Sequence, residues 1–143
     1  MAESDSIYEV HEDTLLLEEV LLGEIDNRQN NGDGTIRVLD MGAGTGRLGF
    51  EAFKKKGVRA TLVDNNPDAV AHMNLIVEDE GLSIPVIESD LFVRMPPQTF
   101  DIIVFNTPYL PYDEQEDIFD SSVHGGPSGN EVALRFLDKV GFY

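Results

Sequence analysis

The sequence predicts an α/β fold, a parallel sheet with helices on both faces. Three observations lead there. Short β-branched runs alternate with stretches whose apolar residues recur at helical spacing. Glycine and proline signals punctuate the changes. Asp40, Asp64, Asp90 and Asn106 each stand just after a strand-like run. In an open α/β sheet the carboxyl ends of the strands line the ligand crevice, so these four polar side chains are aimed at one place.

Residues 12–25 read as a helix. Leu15, Leu16, Val20, Leu21, Leu22 and Ile25 give it an apolar face, and Asp13 or Thr14 can cap its start. Residues 27–34 are polar and turn-rich. A strand over 36–39 runs into Asp40 and a glycine-rich turn. A helix follows over 47–56, with Leu48, Phe50 and Phe53 inward and Gly57 as its stop. The second strand covers 59–63 and ends at Asp64, and a crossover helix over 68–80 stops at Gly81. The third strand covers 85–88 and ends at Ser89-Asp90. Residues 100–105 form a continuous apolar strand before Asn106-Thr107-Pro108-Tyr109. A last helix covers 128–140, with Val132, Leu134, Phe136 and Leu137 apolar.

The length, 143 residues, predicts one domain, large enough to bury a core. Ten Lys and Arg against 27 Asp and Glu give a net charge of −17. That argues against the bare chain as an electrostatic binder of nucleic acid or anionic membrane. The acid is uneven: residues 1–27 carry no Lys or Arg, and a second acidic run spans 113–117 with Asp120. Bases cluster at Lys54, Lys55, Lys56 and Arg59. Such runs are ordinarily a solvated surface. The absence of Cys excludes disulfides and thiolate metal sites, and His11, His72 and His124 have no metal-ligand spacing. No metal is expected. No apolar run approaches the roughly 20 residues of a membrane span, and the acidic N-terminus does not read as a signal peptide. The expected address is cytoplasmic, with no membrane contact.

The turn Asp40-Met41-Gly42-Ala43-Gly44-Thr45-Gly46 opens the first crossover helix. Glycines there permit positive φ and close approach of backbone to a ligand. The third glycine is one position early for a dinucleotide fingerprint, and an Asp beside the first would repel a pyrophosphate. A ligand without phosphate fits better, and S-adenosylmethionine is one whose ammonium an acidic residue can receive. Asp64, 24 residues after Asp40, stands where a carboxylate can accept ribose hydroxyls. Asp90 can accept the exocyclic amine of adenine. A lone Asp after a strand is more often a loop or cap carboxylate; three together with the glycine turn argue for a site.

Asn106-Thr107-Pro108-Tyr109 is the most specific signal. A planar nitrogen nucleophile needs two acceptors for its N–H groups and a flat wall. The Asn106 side-chain oxygen and a backbone carbonyl near Pro108 supply the acceptors, and Tyr109 supplies the wall by stacking. The blander reading is a turn followed by a core Tyr.

This ordered set resembles the class I, S-adenosylmethionine-dependent methyltransferases of the HemK type, which modify a glutamine amide in class-1 peptide release factors. Tyr8-Glu9-Val10-His11-Glu12-Asp13-Thr14 resembles the family's Tyr-x-Pro-x-Glu-Asp-Ser/Thr, shared best with the small archaeal and eukaryotic members. Residues 125–132 resemble the glycine-rich stretch that those members carry further on. The resemblance implies a Rossmann-like class I methyltransferase sheet. Thr14, Asp40, Gly42, Gly44, Asp64, Asp90 and Leu91 would contact the cofactor. Asn106 would face both cofactor and substrate, and Thr107, Pro108 and Tyr109 would complete the clamp; Asn106, Pro108 and Tyr109 are the catalytic candidates. The substrate implied is a release factor, and the partner implied is a small zinc-binding activator protein. The central strands are expected in the order third, second, first, fourth, with the third outermost and its edge the candidate docking place.

Three departures stand out. Val10 replaces the family's Pro, and Thr107 replaces the first Pro of the clamp, which softens it. Gly141-Phe142-Tyr143 looks like the beginning of a fifth strand of a seven-stranded sheet, so the later strands are absent and the domain reads as abbreviated at its C-terminal side. The chemistry implied is methyl transfer to an amide nitrogen, with no His or Lys in the clamp as general base. Two alternatives stand beside it: an amino-group methyltransferase on adenine or guanine, and a non-catalytic cofactor-binding module.

Overall fold

The computed structural model describes residues 7–108 and 123–143. Tyr109 and the acidic run over 113–120 lie outside the described residues. The elements follow in the order α1 (Glu12–Asn30), β1 (Ile36–Met41), α2 (Arg47–Phe53), β2 (Val58–Asp64), α3 (Pro67–Glu80), β3 (Val86–Glu88), β4 (Ile102–Phe105) and α4 (Glu131–Val140). The four strands form one sheet in the order β3-β2-β1-β4, all neighbours parallel, as the sequence predicts.

Alternation along the central strands divides the core. Ile36 and Val38 of β1 face Leu21 and Ile25 of α1 and Leu48 and Ala52 of α2. Ala60 and Leu62 of β2 meet Ala69 and Met73 of α3. Leu39, Met41 and Val63 point to the other side, against Leu91, Phe92 and Met95 and the Val132, Phe136 and Val140 stripe of α4. Three helices thus cover one face, and α4 with the turn after β3 covers the other.

Four expectations are corrected. The first helix runs on to Asn30, because residues 26–30 hold neither Gly nor Pro. An Arg28–Glu24 ion pair at 2.8 Å and a 2.6 Å hydrogen bond from Gln29 Nε2 to the Lys56 carbonyl hold its last turn. The second helix stops early, at Phe53, and a turn ending at Gly57 (φ 79°) leads into β2. The last helix starts at Glu131, since Gly126 and Gly129 (φ 109° and 89°) hold a turn before it. Of its apolar residues, Val132 and Phe136 pack inward, whereas Leu134 and Leu137 are 56% and 64% exposed. Residues 141–143 do not begin a strand. The Phe142 and Tyr143 N–H groups donate to the Lys139 and Val140 carbonyls, which prolongs the helical winding of α4. The Tyr143 ring stacks on Phe92 at 4.3 Å between centroids, and its carbonyl accepts the Phe100 N–H at 3.2 Å.

No helix among the described residues is long and apolar enough to cross a membrane.

Candidate functional site

A cavity of about 360 Å³ opens at the carboxyl ends of β1, β2 and β4. Its volume falls in the range that holds a small-molecule ligand. Asp40, Gly42, Gly44, Asp64, Asp90, Leu91, Asn106, Pro108 and Thr14 all line it, so the structure brings together most of the residues singled out in the sequence. Thr107 is half-buried and does not line the cavity.

The sheet sets these positions. Asp40 sits inside β1, where alternation turns it to the same side as Val38, and it is only 2% exposed. Its Oδ2 accepts the Gly49 N–H of α2 at 2.9 Å. Burial pushes its carboxyl up to about 7, and the neighbouring charge of Asp64 adds to the rise. A Cβ on Gly49 would collide with Leu62 and press on Asp40. Only glycine lets α2 come close enough to hand this N–H to the carboxylate.

Asp64, at the end of β2, organises the glycine turn. Its Oδ2 accepts the Gly44 N–H and its Oδ1 the Asn66 N–H, each at 2.8 Å. Each oxygen keeps acceptor capacity for a ligand hydroxyl. Gly42 and Gly44 both have positive φ, and a Cβ on Gly42 would stand 2.8 Å from the Phe105 ring.

After β3 the chain turns sharply at Asp90-Leu91. Leu91 has φ 52°, a left-handed conformation that costs about 1–3 kcal/mol. Ser89, buried, holds this turn by donating to the Leu91 carbonyl at 2.8 Å and accepting the Arg94 N–H at 2.9 Å. Asp90 Oδ2 accepts from Arg135 Nη2 of α4 at 2.7 Å.

The N-terminal segment supplies what the sequence pattern did not weigh. Residues 7–10 lie along the cavity. Asp13, read from sequence as a cap and as part of the Tyr8–Thr14 motif, is a hub. The Tyr8 hydroxyl donates to its carboxylate at 3.0 Å and the Thr14 N–H at 2.9 Å, and the Asn106 side chain donates as well. Desolvation pushes the Asp13 carboxyl up, but these hydrogen bonds outweigh it and hold the group below its ordinary value, hence ionised at neutral pH. An ionised carboxylate only accepts, so the Asn106 NH₂ must face Asp13 and its Oδ1 is turned the other way. The signal was present in Tyr8-x-x-x-x-Asp13, but only the fold brings Asp13 to Asn106, 93 residues later. Among the described residues no group of three or more His, Cys, Asp or Glu side chains is arranged to hold a metal.

Residues 18–124 match the family model of the methyltransferase small domain. A Methanocaldococcus jannaschii protein named as a protein N5-glutamine methyltransferase is 34% identical over 140 residues, 96% of this chain and 66% of its own length. A release factor glutamine methyltransferase of Rhodopirellula baltica is 32% identical, over 71% of this chain and 38% of its own. A ribosomal protein uL3 glutamine methyltransferase of Francisella tularensis is 34% identical, over 83% and 41%. The chain therefore spans two-thirds or less of the length of these relatives. In fold it is similar to the ribosomal protein L11 methylase of Lactobacillus delbrueckii subsp. bulgaricus, with a TM-score of 0.63 and 16% identity over 93% of this chain and 55% of that one. With its parallel β3-β2-β1-β4 sheet and its cavity at the strand ends, the chain belongs to the methyltransferase small domain family and has the Rossmann-like fold of class I methyltransferases.

Proposed function

We propose that this domain binds S-adenosylmethionine and transfers its methyl group to the side-chain amide nitrogen of a protein glutamine. The observation that carries this reading is the Asn106 carboxamide, oriented by ionised Asp13 beside the Pro108 backbone at the rim of an acidic cavity.

The residues fit the cofactor. The cavity walls hold Asp40, Asp64 and Asp90, a set that favours a ligand carrying ammonium and sulfonium charge and disfavours a phosphate. Asp40 stands by the amino-acid end, Asp64 by the ribose and Asp90 with Leu91 by the adenine. The cofactor, when bound, supplies a methyl group already activated on sulfur. The chain's task is then to place the nucleophile in line. Asn106 Oδ1 and the Pro108 backbone accept the two N–H groups of the substrate amide. Holding both protons draws electron density toward nitrogen, whose lone pair is otherwise delocalised, and stabilises the positive charge that develops there; one of the two protons then leaves to solvent at the cavity mouth, restoring a neutral amide. Phe105 and Val132 in the cavity wall exclude water. The Tyr109 wall remains part of the proposal from sequence.

Asp64→Ala is expected to weaken cofactor binding by about 1–3 kcal/mol, since it removes a charged acceptor and frees the Gly44 turn. Calorimetry with unchanged affinity would take Asp64 out of the site.

The substrate we propose is a peptide release factor, with ribosomal protein uL3 the competing protein substrate. The test is to incubate the chain with the cofactor and each protein, then locate any new methyl group by mass spectrometry. Methylation of a glutamine in either supports amide transfer; methylation of nucleic acid alone, or cofactor binding with no transfer, refutes it. We further propose a small zinc-binding activator docked at the β3 edge. Among the described residues β3 is three residues long and pairs with β2 alone, and an uncovered edge invites strand pairing. Co-expression should raise solubility and cofactor affinity.

A further inference from the structure

Arg135 has no part in the reading so far, yet it lines the same cavity and is bound to one of its carboxylates. Its Nη2 donates to Asp90 Oδ2 at 2.7 Å, with both side chains about half exposed. An exposed pair of this kind contributes little to stability. Its placement is the telling feature. Val132, Phe136 and Val140 anchor α4 to the core, and Phe136 packs 4.8 Å from Phe105 and 5.6 Å from Phe92. Arg135 projects from the flank of that anchored face, so its guanidinium is delivered by a fixed helix. Asp90, by contrast, stands on a turn, next to the left-handed Leu91.

We infer that Arg135 is a positioning residue and a determinant of base selectivity: it grips Asp90 Oδ2, leaving Oδ1 to accept the 6-amino group of adenine. A carboxylate has acceptor sites enough for both donors. A carboxylate oxygen turned to the base only accepts. It therefore receives a 6-amino donor and repels the 6-oxo acceptor of hypoxanthine. This rests on the proposed placement of adenine at Asp90.

Arg47, which also lines the cavity, is held by Glu18 at 2.9 Å and does not substitute for it.

The test measures binding of S-adenosyl-L-homocysteine and S-inosyl-L-homocysteine by calorimetry to the wild type, Asp90→Ala, Arg135→Met, Arg135→Ala and the double variant Asp90→Ala with Arg135→Met. Methionine keeps an apolar stem on α4, so the helix stays seated. Both Arg135 variants should lose roughly three- to tenfold in affinity for the adenine ligand, the scale of about 1 kcal/mol for one hydrogen bond. They should change less than twofold for the inosine ligand, so selectivity falls. The double variant should be no weaker than Asp90→Ala. Unchanged binding in both Arg135 variants, or equal losses for the two ligands, overturns the inference. If Asp90→Ala itself binds both ligands as the wild type does, the adenine placement falls and the inference with it. Loss of selectivity in Asp90→Ala but not in the Arg135 variants overturns the role of Arg135 alone.

Discussion

Asn106→Ala is expected to lower methyl transfer by about 10²–10³-fold or more, the usual consequence of deleting a group that stabilises charge in the transition state. Cofactor affinity should fall far less, because Thr14, Asp40, Asp64 and Asp90 line the cavity independently of it. Asp13→Ala is the companion. It leaves Asn106 in place but removes the carboxylate that sets its amide, so a fall of about 10–10²-fold in kcat is expected from misorientation. Single-turnover transfer to the identified protein substrate, with cofactor binding measured alongside, separates the two. An Asn106→Ala protein that methylates at the wild-type rate would sink the clamp.

Asp40→Asn should change how stability depends on pH. The Asp40 carboxyl is raised to about 7 in the fold, against an ordinary 3.8. Between these values the folded protein keeps a proton that the unfolded chain has lost. Raising the pH through that window therefore destabilises the fold, by about 4 kcal/mol from this group once the pH passes 7. Below about pH 4 the group contributes nothing, because it is protonated in both states. The variant does not titrate there. It keeps an acceptor for the Gly49 N–H but buries an amide donor, which costs about 1–3 kcal/mol. The expected result is a variant less stable than the wild type at pH 4, with the difference shifting in its favour by about 4 kcal/mol by pH 8. Urea titrations at several pH values measure it. Cofactor binding at pH 8 should weaken at the same time, because the ammonium loses its counter-charge. A pH-independent difference would show that Asp40 is ionised throughout.

The parallel sense was legible because it follows from the alternation of strands and helices, whereas the strand order came with the family resemblance. The strand-end carboxylates were legible because polar residues that close apolar runs fall at the carboxyl edge of the sheet; that Asp40 lies within β1, facing α2, was not. What sequence did not carry was pairing between distant elements. Asp13 looked like an ordinary helix cap because a capping Asp and an Asp bonded to a distant side chain have the same local pattern. Arg135 belongs to no sequence pattern, and only the docking of Phe136 on Phe92 and Phe105 brings it to Asp90. The positive φ of the glycine turn was readable, whereas the need for Gly49 was not, since it arises from Leu62 on another strand. Leu134, Leu137 and residues 141–143 misled because apolar content alone does not say which flank of a helix meets the core, or whether a helix has finished winding.

Residues 7–10 are also part of the wall of the cavity. Ile7 is packed among the residues around Met73, and Tyr8, Glu9 and Val10 border the space where the ligand would lie. They carry no regular secondary structure and are held across the opening by Tyr8 on Asp13. A strap of this kind gives ligand occupancy a proteolytic signature. Trypsin cannot read it, because no Lys or Arg precedes Arg28. A glutamate-specific protease can, at the bonds after Glu9 and Glu12. Cutting there should slow as the cofactor is added, which turns the strap into a label-free reporter of the site.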